Sequence, residues 1–112
     1  QAQIIHEFVA QILAIDTESK VIVLGDLNDF PWSLPVETLA GQELENLIDR
    51  LPENERYTYL YEGNAEVLDQ ILVSQSLTEN VDYFEIVHIN AEMLPAMRLS
   101  DHDPVIAVFT FE

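Results

Sequence analysis

Val21-Ile22-Val23-Leu24-Gly25-Asp26-Leu27-Asn28-Asp29-Phe30 decides how this chain is read. Four apolar residues in succession, bounded by Lys20 and Gly25, predict a strand buried on both faces. Asp26 and Asn28 follow directly. Two positions apart on an extended chain, their side chains point to the same side. A buried strand that delivers a carboxylate and an amide at its carboxyl end is where α/β proteins place chemistry. Gly, Asp and Asn are also ordinary turn residues, and taken alone the stretch favours a simple strand-to-loop cap. The rest of the chain shifts the balance.

Upstream, Ile4, Ile5, Phe8, Val9, Ile12, Leu13 and Ile15 recur at helical spacing and predict an amphipathic helix from about Gln3 to Ile15. His6 lies between its apolar positions as a surface or boundary residue. Downstream, Ser33 is placed to cap a short helix over Leu34 to Leu39, with Pro35 in its first turn. Glu43 to Leu51 also has helical spacing. Tyr57 to Tyr61 is rich in aromatic and β-branched residues and predicts a strand. A turn at Glu62-Gly63-Asn64 would pair it with a strand over Val67 to Ser74. Further strands are expected over Val81 to Ile89 and Val105 to Phe111. His88, inside the first of these, reads as a structural hydrogen-bonder.

Composition sets outer limits. At 112 residues and 48% hydrophobic content, the chain suffices for one domain with one core. No apolar run reaches membrane-spanning length. No signal peptide is visible, and the start at Gln1 without Met suggests part of a longer protein. Absence of cysteine excludes disulfides and thiolate metal sites. The net charge of −17, with Lys20, Arg50, Arg56 and Arg98 the only Lys or Arg residues, disfavours unaided binding of nucleic acid. A divalent cation at a carboxylate site can invert that field locally.

Asp69 sits inside the apolar run of its strand. A carboxylate there needs a partner, because burying a lone charge is costly. Ser100-Asp101-His102-Asp103-Pro104 introduces the last strand. Asp26 with Asn28, then Asp69, then Asp101 with His102 form a set that suits phosphodiester hydrolysis. Hard divalent metals take carboxylate oxygens and neutralise charge on the phosphoryl group. A histidine oriented by a carboxylate exchanges protons.

Gly25-Asp26-Leu27-Asn28-Asp29, Leu68-Asp69-Gln70-Ile71-Leu72-Val73-Ser74 and Ser100-Asp101-His102-Asp103-Pro104-Val105 together resemble the last three motifs of the endonuclease/exonuclease/phosphatase superfamily, the deoxyribonuclease-I-like fold. Each motif alone is weak; three in order are specific. His88-Ile89-Asn90-Ala91-Glu92 further resembles the bacterial, often secreted, nuclease branch. The resemblance covers nearly all of this chain but only the C-terminal half of a family member. It implies an α/β (α+β) fold: half of an αββα sandwich, with one mostly antiparallel mixed sheet and a flanking helix layer. Residues 1–112 would then be a single domain forming the C-terminal part of a larger one.

By the same resemblance, Asp26 activates the water nucleophile or serves the leaving group, and Asn28 positions water and phosphate. Asp69 orients the catalytic His102, and Asp101 is a metal ligand. Asp103 and Pro104 are structural. Arg98 is a weaker candidate for a phosphate contact. The cofactor implied is Mg2+, with Ca2+ or Mn2+ as the other candidates, and the substrate is nucleic acid or another phosphoester. The resemblance points to secreted or periplasmic placement. The family's N-terminal asparagine, glutamate and further histidine or tyrosine have no counterpart here. The chain alone is therefore expected to be weakly active or inactive. Its inner sheet face is expected to lie bare and to invite self-association. Two other readings remain: a phosphomonoesterase or lipid or inositol phosphatase of the same fold, and a non-catalytic acidic interaction domain. The five site residues Asp26, Asn28, Asp69, Asp101 and His102 weigh against the last.

Overall fold

The computed structural model describes residues 1–112. Helix α1 spans Ala2–Ile15, and helix α2 spans Leu34–Ala40. The strands are β1 (Ile22–Asp26), β2 (Leu44–Asn46), β3 (Tyr59–Tyr61), β4 (Asn64–Glu66), β5 (Asp69–Ser74), β6 (Val81–Ile86) and β7 (Val105–Phe109). Three antiparallel sheets result: β1-β5-β2, β3-β4 and β6-β7. No helix is long and apolar enough to cross a membrane.

The two-sided burial expected of β1 belongs instead to β5. From Gln70 to Ser74 every residue of β5 is buried, because the strand is flanked by β1 and β2 and covered on both faces. On one face α1 and α2 supply Val9 and Leu39, which pack with Leu44 and Leu72. On the other face Ile71 and Val73 pack with Leu47 and Leu77 and against Phe84, Val105, Ala107 and Phe109 of the β6-β7 hairpin. β1 is an edge strand. Val23 packs on the helix side. Ile22 and Leu24 stand directly opposite Val73 and Ile71 in the ladder, hence on the hairpin side, yet they remain 42% and 65% exposed. The inner face expected to lie bare is thus covered along β5 and open along β1.

Two further departures have local causes. Glu43 to Leu51 is not a helix. Its Leu44, Glu45 and Asn46 pair with Ser74, Val73 and Leu72, and a 3-10 turn over Leu47–Arg50 follows. The Asn46 side chain ends the strand by accepting from the Ile48 amide at 3.2 Å. The sequence periodicity there is real, since Leu44, Leu47 and Ile48 are all buried, but strand pairing overrides it. The hairpin of β3 closes on β4, not on Val67–Ser74. Glu62 and Gly63 both have positive φ, 49° and 82°, which is the two-residue turn that matches strand twist. α2 follows its sequence signals: Ser33 Oγ accepts from the Val36 amide at 3.4 Å, with Pro35 in the first turn.

Candidate active site

Asp26 ends β1 and Asp69 begins β5, and the two are direct partners across the ladder. Like charges in that position oppose pairing by roughly 0.2–1 kcal/mol. A cationic group beside them reverses the sign. His102, in the loop before β7, is that group when protonated: its Nδ1 lies 2.6 Å from Asp69 Oδ2. One ligand atom from each of Asp26, Asp69 and His102 falls within 4.8 Å of the others. Three segments far apart in sequence therefore meet at one end of the sheet.

Burial of the His102 ring disfavours its charged form. The hydrogen bond to Asp69 and the charges of Asp69, Asp26 and Asp101 together outweigh that and hold its pKa above the ordinary histidine value. The consequence for stability has a definite sign. With the folded-state pKa raised, the interaction contributes fully below the unfolded value of about 6.5. It is lost as pH rises through the folded-state value. Urea midpoints of the metal-free chain, compared with those of His102→Ala, should show a wild-type advantage near pH 6 that shrinks at alkaline pH. A gap that widens with pH would contradict the pairing.

The remaining expected site residues fall differently. Asn28 is exposed and adopts φ 52°, a left-handed conformation that asparagine tolerates. Its amide donates to Asp26 Oδ1 at 2.9 Å, so the chain has turned and the extended alternation argued for Asp26 and Asn28 does not reach Asn28. Asp101 is exposed and stands outside the three-residue cluster; it reaches His102 as a nearby charge. Arg98 is partly buried, and its Nη1 donates to the Met93 carbonyl at 3.4 Å.

A second histidine–carboxylate pair lies behind the first. His88 Nδ1 is 3.0 Å from Asp103 Oδ2, as expected of a structural histidine. The Asp103 side chain has no exposed surface, and its Oδ1 accepts from the amides of Asn90 and Ala91 at 2.8 and 2.9 Å. Tyr57 stacks on His88 with centroids 4.0 Å apart. Its hydroxyl donates to Glu92, and burial, that bond and the charges of Glu92, Asp103 and Glu55 push its pKa up to about 12. The loop after Asn28 is held by Gln70, which is buried: its Nε2 donates to the Asp29 carbonyl at 2.8 Å, and its Oε1 accepts from Asn46 at 2.7 Å. Sequence reasoning missed Gln70 and Asn90. The available signal for Gln70 was its place, beside Asp69, inside an otherwise apolar strand.

A helix layer on an antiparallel sheet, with a hairpin stacked behind it and a His–Asp pair at the strand ends, defines an α/β protein of the deoxyribonuclease-I-like class. Residues 1–105 match the Endonuclease/Exonuclease/phosphatase family, and the chain belongs to it. Among solved structures, the 3′ phosphatase NExo from Neisseria, bound to product DNA hairpin, is similar with a TM-score of 0.66 at 20% identity. The match covers 96% of this chain and 52% of that one, so this chain spans about half the length of NExo. At that identity the likeness establishes the fold. No curated protein matches the chain.

Proposed function

We propose that this chain carries the histidine half of a phosphodiesterase site, nuclease-like in action, within a larger metal-dependent enzyme. The observation that carries the reading is the Asp69–His102 hydrogen bond of 2.6 Å, faced by Asp26 across the ladder. Asp69 fixes the ring through Nδ1 and favours its protonated form, leaving Nε2 as the nitrogen available to a phosphoryl oxygen. Asp26 supplies a carboxylate that accepts a proton from, or orients, the attacking water. Asn28, in the turn braced on Asp26, adds an amide to the same edge.

The donor set fits a divalent cation. Asp26 keeps its second oxygen free of the Asn28 amide, and Asp69 keeps the oxygen not bonded to His102. Carboxylate oxygens are the ligands Mg2+ takes, usually through one or two carboxylates with water completing the shell. When bound, such an ion neutralises charge on the phosphoryl group. Here Asp26 and Asp69 would hold it, and Asp101 would serve as an outer charge that attracts it.

The likeness to NExo favours a second reading, removal of a terminal phosphate from DNA. Hydrolysis by the full-length protein separates the two. The substrates are plasmid DNA, a DNA hairpin ending in a 3′ phosphate, and a soluble inositol phosphate, each with Mg2+ and with EDTA. Strand cleavage that EDTA stops is the expected result. Phosphate release from the hairpin alone moves the assignment to the second reading. Absence of turnover on all three refutes both. The 112-residue chain by itself is expected to show little turnover.

A further inference from the structure

We propose that Thr58 is a positioning residue for the histidine–carboxylate pair, joining the strand that carries Asp69 to the loop that carries His102. This rests on the reading of Asp69 and His102 as the working pair. Thr58 has 0% of its surface exposed. Its Oγ1 accepts from the amides of Leu68 and Asp69 at 3.1 and 3.2 Å. Its carbonyl accepts from the Asp103 amide at 2.8 Å, and its own amide donates to the Glu66 carbonyl at 2.9 Å. Its amide, carbonyl and hydroxyl oxygen are thus all bonded, to two segments distant from each other in the chain, residues 66–69 and Asp103.

The placement matters more than the number of bonds. The amide of Asp69 belongs to the residue that orients the ring. The amide of Asp103 belongs to the peptide unit that follows His102, and the other end of that unit, the His102 carbonyl, accepts from Asn90 Nδ2 at 2.9 Å. The peptide is thus pinned at both ends, and Thr58 holds the backbone of both partners of the 2.6 Å bond. The neighbours of Thr58 continue the pattern. Tyr59 packs its ring against His102 at 5.0 Å, and Tyr57 stacks on His88. The aromatic strand legible in the sequence is the brace on which both histidine–carboxylate pairs are hung. Residues that orient a working group from behind typically cost about 10- to 100-fold when removed.

Valine has nearly the shape of threonine but no acceptor, so it leaves the buried Leu68 amide and the partly buried Asp69 amide unpaired. Serine keeps the acceptor. The test is proton NMR of the full-length protein as wild type, Thr58→Val and Thr58→Ser, following the His102 Nδ1 proton, which a short bond to carboxylate moves far downfield. Loss or broadening of that signal in a folded Thr58→Val variant, with retention in Thr58→Ser, is the expected result. A folded Thr58→Val variant that keeps the signal overturns the proposal and makes Thr58 a stability residue only. Should the valine variant not fold, the wild-type chain decides by amide exchange. Slow exchange at Leu68 and Asp69 supports the clamp, and free exchange overturns it. None of these readouts depends on turnover. In the full-length enzyme, Thr58→Val should lower kcat about 10- to 100-fold with KM little changed. Serine should restore it. An unchanged kcat overturns the proposal.

Discussion

Replacing His102 by alanine in the full-length enzyme should lower kcat by about 10²- to 10⁴-fold, the span typical of a positioned proton donor. The fold should survive. His102 is only partly buried, and its Nδ1 bond to Asp69 is its sole side-chain hydrogen bond. What its removal does change is electrostatic: Asp26 and Asp69 are left facing each other across β1 and β5. A divalent cation held there, as proposed, would offset that repulsion, so the stability loss should be smaller with Mg2+ than without. Steady-state kinetics and urea denaturation check the two halves of this expectation. Turnover near the wild-type rate would remove His102 from the chemistry.

Asp103→Ala should do the reverse, acting on stability first. Its carboxylate is wholly enclosed and accepts from two backbone amides and the His88 ring. Alanine leaves those donors unpaired, including two amides in a buried loop. Leaving a buried donor unpaired costs about 1–3 kcal/mol, so the two amides together take a large share of the about 5–15 kcal/mol total of a domain. Asp103→Asn, which keeps an acceptor oxygen, should lose clearly less. Denaturant midpoints of the two variants measure this. Similar small losses in both would mean that the loop over His88 to Ala91 is held by something else.

How much of this was legible in the sequence depends on whether the cause was local. α1, α2 with its Ser33 cap, and β7 follow from spacing and capping chemistry near their own residues. The Asp69–His102 pair was legible because a carboxylate within an apolar run demanded a partner, and the resemblance named it. The β2 segment was not legible. Its leucines have helical spacing, and only the presence of β5 alongside makes it a strand. The turn at Asn28 was legible as the strand-to-loop cap that Gly, Asp and Asn favour, but its left-handed backbone was not, since a single such residue leaves no period to read. Asp101 was read as a metal ligand from the resemblance alone, and the ladder register that sets Asp69 beside Asp26 lies between strands, where no single motif records it. Thr58 was visible only as a strand former. Its three-way bonding exists between segments, and no pattern along one segment contains it.

The central claim is that Asp69 acts through His102 as one unit. A double-mutant cycle on kcat of the full-length enzyme, with Asp69→Asn, His102→Ala and both together, tests it most directly. With Mg2+ saturating, so that the metal-holding role of Asp69 is offset, the double variant should be little slower than His102→Ala alone, because Asp69 has no ring left to orient. Losses that multiply would show two independent contributions and contradict it.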